Sequence, residues 1–149
     1  MFQYDPVNGG NYFRGSYDES YYLFCGLAND EAYLIRAECN ARNNNTRDAM
    51  NDLNALLQKR FKTGFFVPLI AANSTEALNK ILDERRKELI FRGTRWTDLR
   101  RLNKGGANIT ITRTLNGQTY TLAPNSLKYT YLIPTEVIGF NPNMAQNLR

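Results

Sequence analysis

Two amphipathic helices separated by a three-residue loop restrict the fold of this chain more than any other feature. Apolar residues recur at three- and four-residue spacings between about Asp30 and Arg42, namely Tyr33, Leu34, Ala37 and Ala41. The same spacing continues from Thr46 to about Lys62, through Ala49, Leu53, Leu56 and Leu57. Because only Asn43–Asn45 lie between them, the two predicted helices must run antiparallel.

Residues that favour helix ends predict four helices in all. The expected N-terminal caps are Asn29 or Asp30, Thr46, Asn73 and Thr94. The expected stops are Asn43–Asn45, Gly64, Gly93 and the pair Gly105-Gly106. The third helix should reach about Phe91, with Glu76 completing a capping box on Asn73.

The pattern changes after the helical stretch. Residues 108–113 and 118–122 alternate around Asn116-Gly117, which is the strongest short signal for a β-hairpin. Residues 128–133 are expected to form one more strand. The remaining tail is predicted to be rich in turns, because it contains Pro134 and Pro142.

The first 28 residues hold eight of the eighteen aromatic side chains, without a regular period. We therefore predict an irregular, aromatic-rich segment over 1–28, a helical region over 29–104, and a hairpin with an irregular tail over 105–149. The predicted fold class is mainly α. At 149 residues, the chain fits one domain.

The first helix pair has the character of a single tetratricopeptide repeat. Ala37, Ala49 and Leu53 stand at the separations where that repeat packs small and large residues between its helices. Asn40, however, stands where the repeat has a large aromatic residue. One repeat cannot bury both of its faces, so we expect further stacked helices outside this chain.

The absence of histidine from the sequence limits the chemistry available to the chain. It removes the usual general base and the commonest metal ligand. Cys25 and Cys39 are the only soft ligands, which excludes a structural zinc site, and we predict no metal and no cofactor. The two cysteines could pair, but Cys39 lies within the helical pattern and is expected to behave as a small apolar residue.

Positive charge is concentrated between Lys80 and Lys104, where nine basic and four acidic residues give the net +5 of the whole chain. A nucleic-acid surface would use these cations on phosphates and Trp96 for stacking, but the interleaved carboxylates would repel a phosphate backbone. An acid catalyst built on Glu84 and Glu88 is disfavoured, because the surrounding arginines stabilise ionised carboxylates. A salt-bridge network that joins two helices, with Trp96 as a packed anchor, is the interpretation we favour.

Arg85 falls on the apolar stripe of the third helix, which consists of Leu78, Ile81, Leu82 and Leu89. An arginine there must either extend to solvent or find a carboxylate, because an unpaired buried guanidinium is very costly. Two opposite-charge pairs four residues apart are also predicted, Asp83 with Lys87 and Glu88 with Arg92.

This segment resembles the signature of the RagB/SusD family of Bacteroidota. The resemblance rests on Glu84, Arg85, Glu88, Leu89, Phe91, Gly93, Arg95, Trp96, Asp98, Leu99 and Arg101. It continues upstream through 23–28 and 31–38, and downstream through 132–136, 141–143 and 146–147. Arg92 departs from the pattern, because the family more often has an acidic residue before the glycine. The signature looks structural rather than ligand-binding.

The resemblance implies a non-catalytic protein that captures glycans or peptides at the cell surface. Such proteins are outer-membrane lipoproteins, built on tetratricopeptide-type helix pairs, and they deliver the ligand to a SusC-like TonB-dependent transporter. They are several hundred residues long, so this chain is expected to be a C-terminal portion. Its first residues do not resemble a signal peptide, and a lipid anchor is expected only in the longer protein.

Ligand sites in this family are usually aromatic platforms with a few polar groups, which suit the faces of sugar rings. The local aromatic cluster of that kind contains Tyr12, Phe13, Tyr17, Tyr21 and Tyr22. The alternative, which we favour, is that these side chains pack against the helices or against segments outside the chain. A helical scaffold that binds a protein partner through its open face is the alternative function.

Overall fold

The computed structural model describes residues 2–13, 15, 22–24, 26–141 and 143–149, and the chain divides into two compact units, 1–95 and 96–149. The core of the first unit consists of three helices: α1 (Asn29–Arg42), α2 (Thr46–Leu57) and α3 (Ser74–Glu88). α1 packs against both other helices. The side chains at the centre are inaccessible to solvent, including Leu34, Ala37, Ala49, Leu53 and Ile81.

The predicted helix pair is confirmed, and Asn44 adopts the left-handed conformation (φ 60°) that ends α1. The predicted caps of this pair are wrong. Ala28 is the N-terminal cap of α1 and makes no side-chain bond, while Asn45 caps α2 and accepts a hydrogen bond from the Asp48 amide. α2 also stops at Leu57, five residues before the predicted end.

The cap of α3 is as predicted, because Asn73 Oδ1 accepts a hydrogen bond from the Glu76 amide at 2.9 Å. The Glu76 carboxylate returns to the amide of Ala72, at 2.8 Å. α3 is shorter than expected. The chain leaves it at Leu89 and turns through two left-handed residues, Phe91 (φ 61°) and Gly93 (φ 72°).

A β-hairpin lies within the N-terminal segment that we expected to be irregular. Strands β1 (Phe2–Asp5) and β2 (Gly10–Phe13) pair antiparallel. Their turn is held by Asp5, whose carboxylate accepts hydrogen bonds from the Val7 amide at 2.9 Å and the Asn8 side chain at 2.6 Å. The four-residue loop does contain an Asn-Gly pair, Asn8-Gly9, with Gly9 left-handed (φ 67°). The residues on either side of it lack a regular apolar period, and the hairpin was therefore not predicted.

The second unit contains nearly all of α4 (Arg95–Lys104), followed by the hairpin of β3 (Ile111–Leu115) and β4 (Gln118–Leu122). The predicted hairpin turn is confirmed, with both Asn116 (φ 49°) and Gly117 (φ 77°) left-handed. The mainly α fold with a small hairpin is thus confirmed.

The end of the chain corrects two predictions. Residues 128–133 form no strand, because Leu127–Tyr129 is a 3-10 turn that begins at the Ser126 hydroxyl. The tail contains a short helix, α5 (Thr135–Phe140), where only turns were expected. Pro134 is the N-terminal cap of α5, and its fixed φ suits the start of a helix.

Candidate functional site

Arg85 is buried on α3, with 8% of its surface exposed. Its Nη2 donates a hydrogen bond to Glu31 Oε1 of α1, at 3.0 Å. Arg85 was expected to need a carboxylate partner, because it lies on the apolar stripe of α3. That partner is Glu31. The pair joins α1 to α3 in the interior of the first unit.

Arg92 is also buried, just after α3, and it holds the segment before α1. Its Nη2 donates to the carbonyl of Gly26 at 2.7 Å, and its guanidinium lies 4.9 Å from the centre of the Phe24 ring. The same guanidinium lies within 3.7 Å of Asp30 and 3.6 Å of Glu31. This arginine, which departs from the family pattern, thus contributes to the interior of the unit.

Glu88 pairs with Arg60, which lies beyond the end of α2, and the Arg60 Nε donates to it at 2.8 Å. Asp30 lies 3.9 Å from the same arginine. Burial is the main cause that raises the pKa of Asp30, and the nearby Glu88 carboxylate raises it further. We call the six side chains the buried ion network, because Asp30, Arg85 and Arg92 at its centre are buried, whereas the Arg60 side chain at its edge is 43% exposed. Its members are Asp30, Glu31, Arg60, Arg85, Glu88 and Arg92.

The other signature residues lie on α3, in the turn that follows it and on α4. Trp96 packs against aromatic rings of its own unit, with its ring centroid 4.7 Å from Tyr129 and 6.1 Å from Tyr131. Asp98 is buried and accepts a hydrogen bond from Arg101 at 3.2 Å.

On α3, Glu84 accepts a hydrogen bond from the Lys87 ammonium at 2.6 Å. Lys87 was predicted to pair with Asp83, and its hydrogen-bond partner is Glu84 instead.

Residues of the C-terminal part of the resemblance also bond to one another. The Gln146 side chain accepts from the Ile133 amide at 2.8 Å and donates to the Ile133 carbonyl at 2.9 Å. Asn147 Nδ2 donates to the Tyr131 carbonyl at 2.7 Å. These bonds fasten the last residues to the segment after the 3-10 turn.

Two of the four tyrosines considered as ligand contacts are described by the structure. Tyr12 lies on β2 with 38% of its surface exposed, and Tyr22 is 84% exposed. Tyr17 and Tyr21 lie outside the described residues. Phe13, the neighbour of Tyr12, packs against Phe91 with ring centroids 4.5 Å apart, which places the hairpin beside the turn that follows α3.

The described residues contain no group of three or more His, Cys, Asp or Glu side chains able to hold a metal ion. None of the helices they form is both long and apolar enough to cross a bilayer. The expected behaviour of Cys39 as a core residue is wrong, because Cys39 is exposed on α1. Its possible pairing with Cys25 lies outside the described residues.

The sequence did not predict half of the buried ion network. Asp30 and Arg60 were not expected to take part in it, and Glu31 was not identified as the partner of Arg85. One signal was present for Asp30, which precedes Leu34 by four residues and therefore lies on the buried stripe of α1. Arg60 had no such signal, because it follows the last turn of α2 and pairs across 28 residues.

Comparison with known proteins identifies the family. The SusD family model matches residues 30–149, which is well over half of the chain and includes the whole signature segment. No match was found among curated proteins. Proteins of this family are surface nutrient-binding proteins of glycan-uptake systems and are typically non-catalytic. They associate with SusC-like transporters at the outer membrane. The chain belongs to the SusD family.

Proposed function

We propose that this chain binds glycans or peptides at the outer-membrane surface and delivers them, chemically unchanged, to a SusC-like TonB-dependent transporter. The observation that carries the proposal is the family match over residues 30–149. We further propose that the protein is a lipoprotein, held at the outer membrane by a lipid anchor.

The buried ion network supports a structural role for the signature segment. Its carboxylates are engaged by arginines inside the first unit, which leaves them poorly placed to meet a ligand. Ligand contacts must then come from accessible side chains. We assign them to the exposed aromatic residues Tyr12 and Tyr22, because an aromatic ring covers the C–H face of a sugar while solvent-facing polar groups bond its hydroxyls.

The test uses two arms on the 149-residue chain. In the first, the chain is immobilised and presented with the detergent-solubilised SusC-like transporter encoded beside its gene, and retention is expected. In the second, a panel of oligosaccharides and peptides is titrated, and at least one class is expected to bind. Failure of either arm would overturn the proposal.

A matched pair of variants tests the aromatic contacts. Tyr12→Ala should weaken binding of the selected ligand by about tenfold, which corresponds to losing one good stacking contact. Tyr120→Ala is the control, because Tyr120 is an exposed tyrosine (51%) on the other hairpin. Equal binding by the two variants would remove Tyr12 from the site.

A protein-binding scaffold is the second candidate function, and one observation favours it. The segment between α2 and α3 exposes a group of large apolar side chains, Phe65 (75%), Val67 (78%) and Ile70 (83%). A scaffold function predicts that Phe65→Ser with Ile70→Ser abolishes capture of a protein partner and leaves oligosaccharide binding unchanged. The uptake function predicts that the unmodified chain binds oligosaccharides.

A further inference from the structure

A cleft in the second unit combines three cations with several uncharged polar groups. It has a volume of about 360 Å³, which is within the range of small-molecule sites. One wall is the last part of α4, with Arg100, Arg101 and Lys104. The other wall is the loop 125–130, which contributes Asn125, Ser126, Leu127, Tyr129 and Thr130.

The charge of the chain is uneven, and the cleft lies in the positive unit. Residues 96–149 contain six basic and two acidic residues, a net of +4, whereas residues 1–95 contain thirteen basic and twelve acidic residues. Of the three cations that line the cleft, Arg101 pairs with the buried Asp98 of the same helix. Arg100 and Lys104 form no ion pair with any residue that the structure describes, so their charges are available to a ligand.

Both ends of the loop are attached to α4, which fixes the shape of the cleft. Asn125 Nδ2 donates to the carbonyl of Asn103 at 3.2 Å. The Tyr129 ring packs on Trp96, with centroids 4.7 Å apart. A cleft whose walls are already fixed loses little conformational entropy when a ligand binds.

The polar atoms around the cations retain hydrogen-bonding capacity. The Asn125 side-chain oxygen and the Ser126 hydroxyl proton have no partner in the described part of the chain, although Asn125 Nδ2 and Ser126 Oγ are used by the backbone. The Tyr129 hydroxyl also makes no hydrogen bond with the described residues, but it is buried and therefore does not add to this capacity. Leu127, which is 58% exposed, adds apolar surface at the same place.

We propose that this cleft binds an acidic saccharide, with Arg100 and Lys104 on its carboxylate. Guanidinium and ammonium groups form strong charge-assisted hydrogen bonds to carboxylates. Asn125, Ser126 and Leu127 meet the hydroxyls and the C–H surface of the sugar ring. This inference rests on the proposed function and narrows its ligand class to glycans that contain uronic acids.

The attraction of cations to a helix C-terminus does not explain the cleft by itself. That effect accounts for Arg101 and Lys104 in the last turn of α4. It does not account for a fixed loop that faces the same turn with uncharged polar groups and an exposed leucine. A neutral ligand would leave Arg100 and Lys104 without a counter-charge.

The experiment titrates the 149-residue chain with short oligomers of galacturonate, mannuronate and glucuronate, each beside its fully methyl-esterified form. The ester keeps the sugar ring and removes the charge. We expect at least one acid to bind about tenfold or more tightly than its ester, as expected for hydrogen bonds to a charged group. Equal affinity of acid and ester, or no binding of any acid, would overturn the inference.

Variants then locate the site. Arg100→Gln with Lys104→Gln should weaken binding of the acid by about tenfold or more. Arg113→Gln with Arg149→Gln is the matched control, since it removes the same charge from the same unit at exposed positions outside the cleft. Equal losses in the two double variants would contradict the cleft as the site. Circular dichroism and Trp96 fluorescence verify that both double variants fold.

Two further outcomes distinguish a site for acidic saccharides from a general anion site and from the proposed function itself. Displacement of the acid by an equal concentration of sodium sulfate, at matched ionic strength, would show a simple anion site and overturn the saccharide assignment. Binding of neutral oligosaccharides and retention of the transporter, without preference for acids, would leave the proposed function standing and remove this inference alone.

Discussion

Glu31 and Arg85 are 54 residues apart in the chain, and their side chains meet at 3.0 Å where α1 packs on α3. Arg85 is almost completely buried, and its place on the apolar stripe of α3 allows no exit to solvent. The pair therefore belongs to the interior of the first unit. Arg85, one residue of the family signature, thus lies in the core of the first unit.

Arg85→Met should destabilise the first unit by about 3 kcal/mol, because it removes the arginine that is hydrogen-bonded to the partly buried Glu31 carboxylate and leaves it only the more distant Arg92, at 3.6 Å. Urea unfolding followed by far-UV circular dichroism measures the loss. Arg86→Met is the control, since Arg86 is the exposed neighbour on the same helix. Equal unfolding free energies of the two variants would mean that the Glu31–Arg85 pair does not contribute to the stability of the first unit.

Asp30 should make the stability depend on pH. Its raised pKa means that, above the ordinary value of 3.8, the folded chain keeps a proton that the unfolded chain has lost. The contribution of Asp30 to the free energy of unfolding therefore falls as the pH rises through that window. The facing charged groups are Glu88, Arg60 and Arg92.

The measurement compares the wild-type chain with Asp30→Asn by urea unfolding at intervals from about pH 3 to about pH 7. Asparagine preserves the size of the side chain and its acceptor for the Glu31 amide, which Asp30 bonds at 2.7 Å. The stability of the wild type relative to the variant should decline as the pH rises. A difference that stays constant over this range would refute the assignment.

Asn73→Ala should destabilise the first unit by about 1 kcal/mol, because it removes the side chain that caps the Glu76 amide. Asn79→Ala is the matched control on the exposed side of the same helix, where alanine favours helix formation. Urea unfolding distinguishes the two. Loss of stability in the control and not in Asn73→Ala would contradict the assigned cap.

Asn103→Ala should destabilise the second unit by about 2 kcal/mol, because it removes the buried side chain that satisfies both backbone groups of the partly buried Ile109. Asn103 is 2% exposed, donates to the Ile109 carbonyl at 2.9 Å and accepts from its amide at 2.6 Å. Trp96 is the only tryptophan of the chain and reports on this unit by fluorescence. Asn143→Ala, at an exposed position in the same unit, should unfold as the wild type does.

The sequence pattern predicted local structure well where short-range spacing determines it. The stripes through Leu34 and Leu53, the cap at Asn73 and the Asn116-Gly117 turn all depend on residues within a few positions of one another. The hairpin of β1 and β2 was missed although its turn contains Asn8-Gly9, because the flanking residues lack a regular apolar period and the side-chain bonds of Asp5 that hold the turn leave no pattern in the sequence.

The candidate sites were less predictable, because they depend on distant residues. Arg85 was expected to need a carboxylate, but nothing in the sequence selects Glu31 from among fourteen acidic residues. The cleft of the second unit is formed when the loop 125–130 folds back on α4, and no local pattern indicates that return. Where the ligand of this chain binds remains a prediction at Tyr12, Tyr17, Tyr21 and Tyr22.

The most direct measurement is a calorimetric titration of the chain with the saccharide selected from the panel, followed by recovery of that saccharide and analysis of its mass. Non-catalytic capture predicts saturable binding and a recovered ligand of unchanged mass. A recovered ligand that is shorter or otherwise altered, or no binding by any glycan or peptide, would contradict the proposed function.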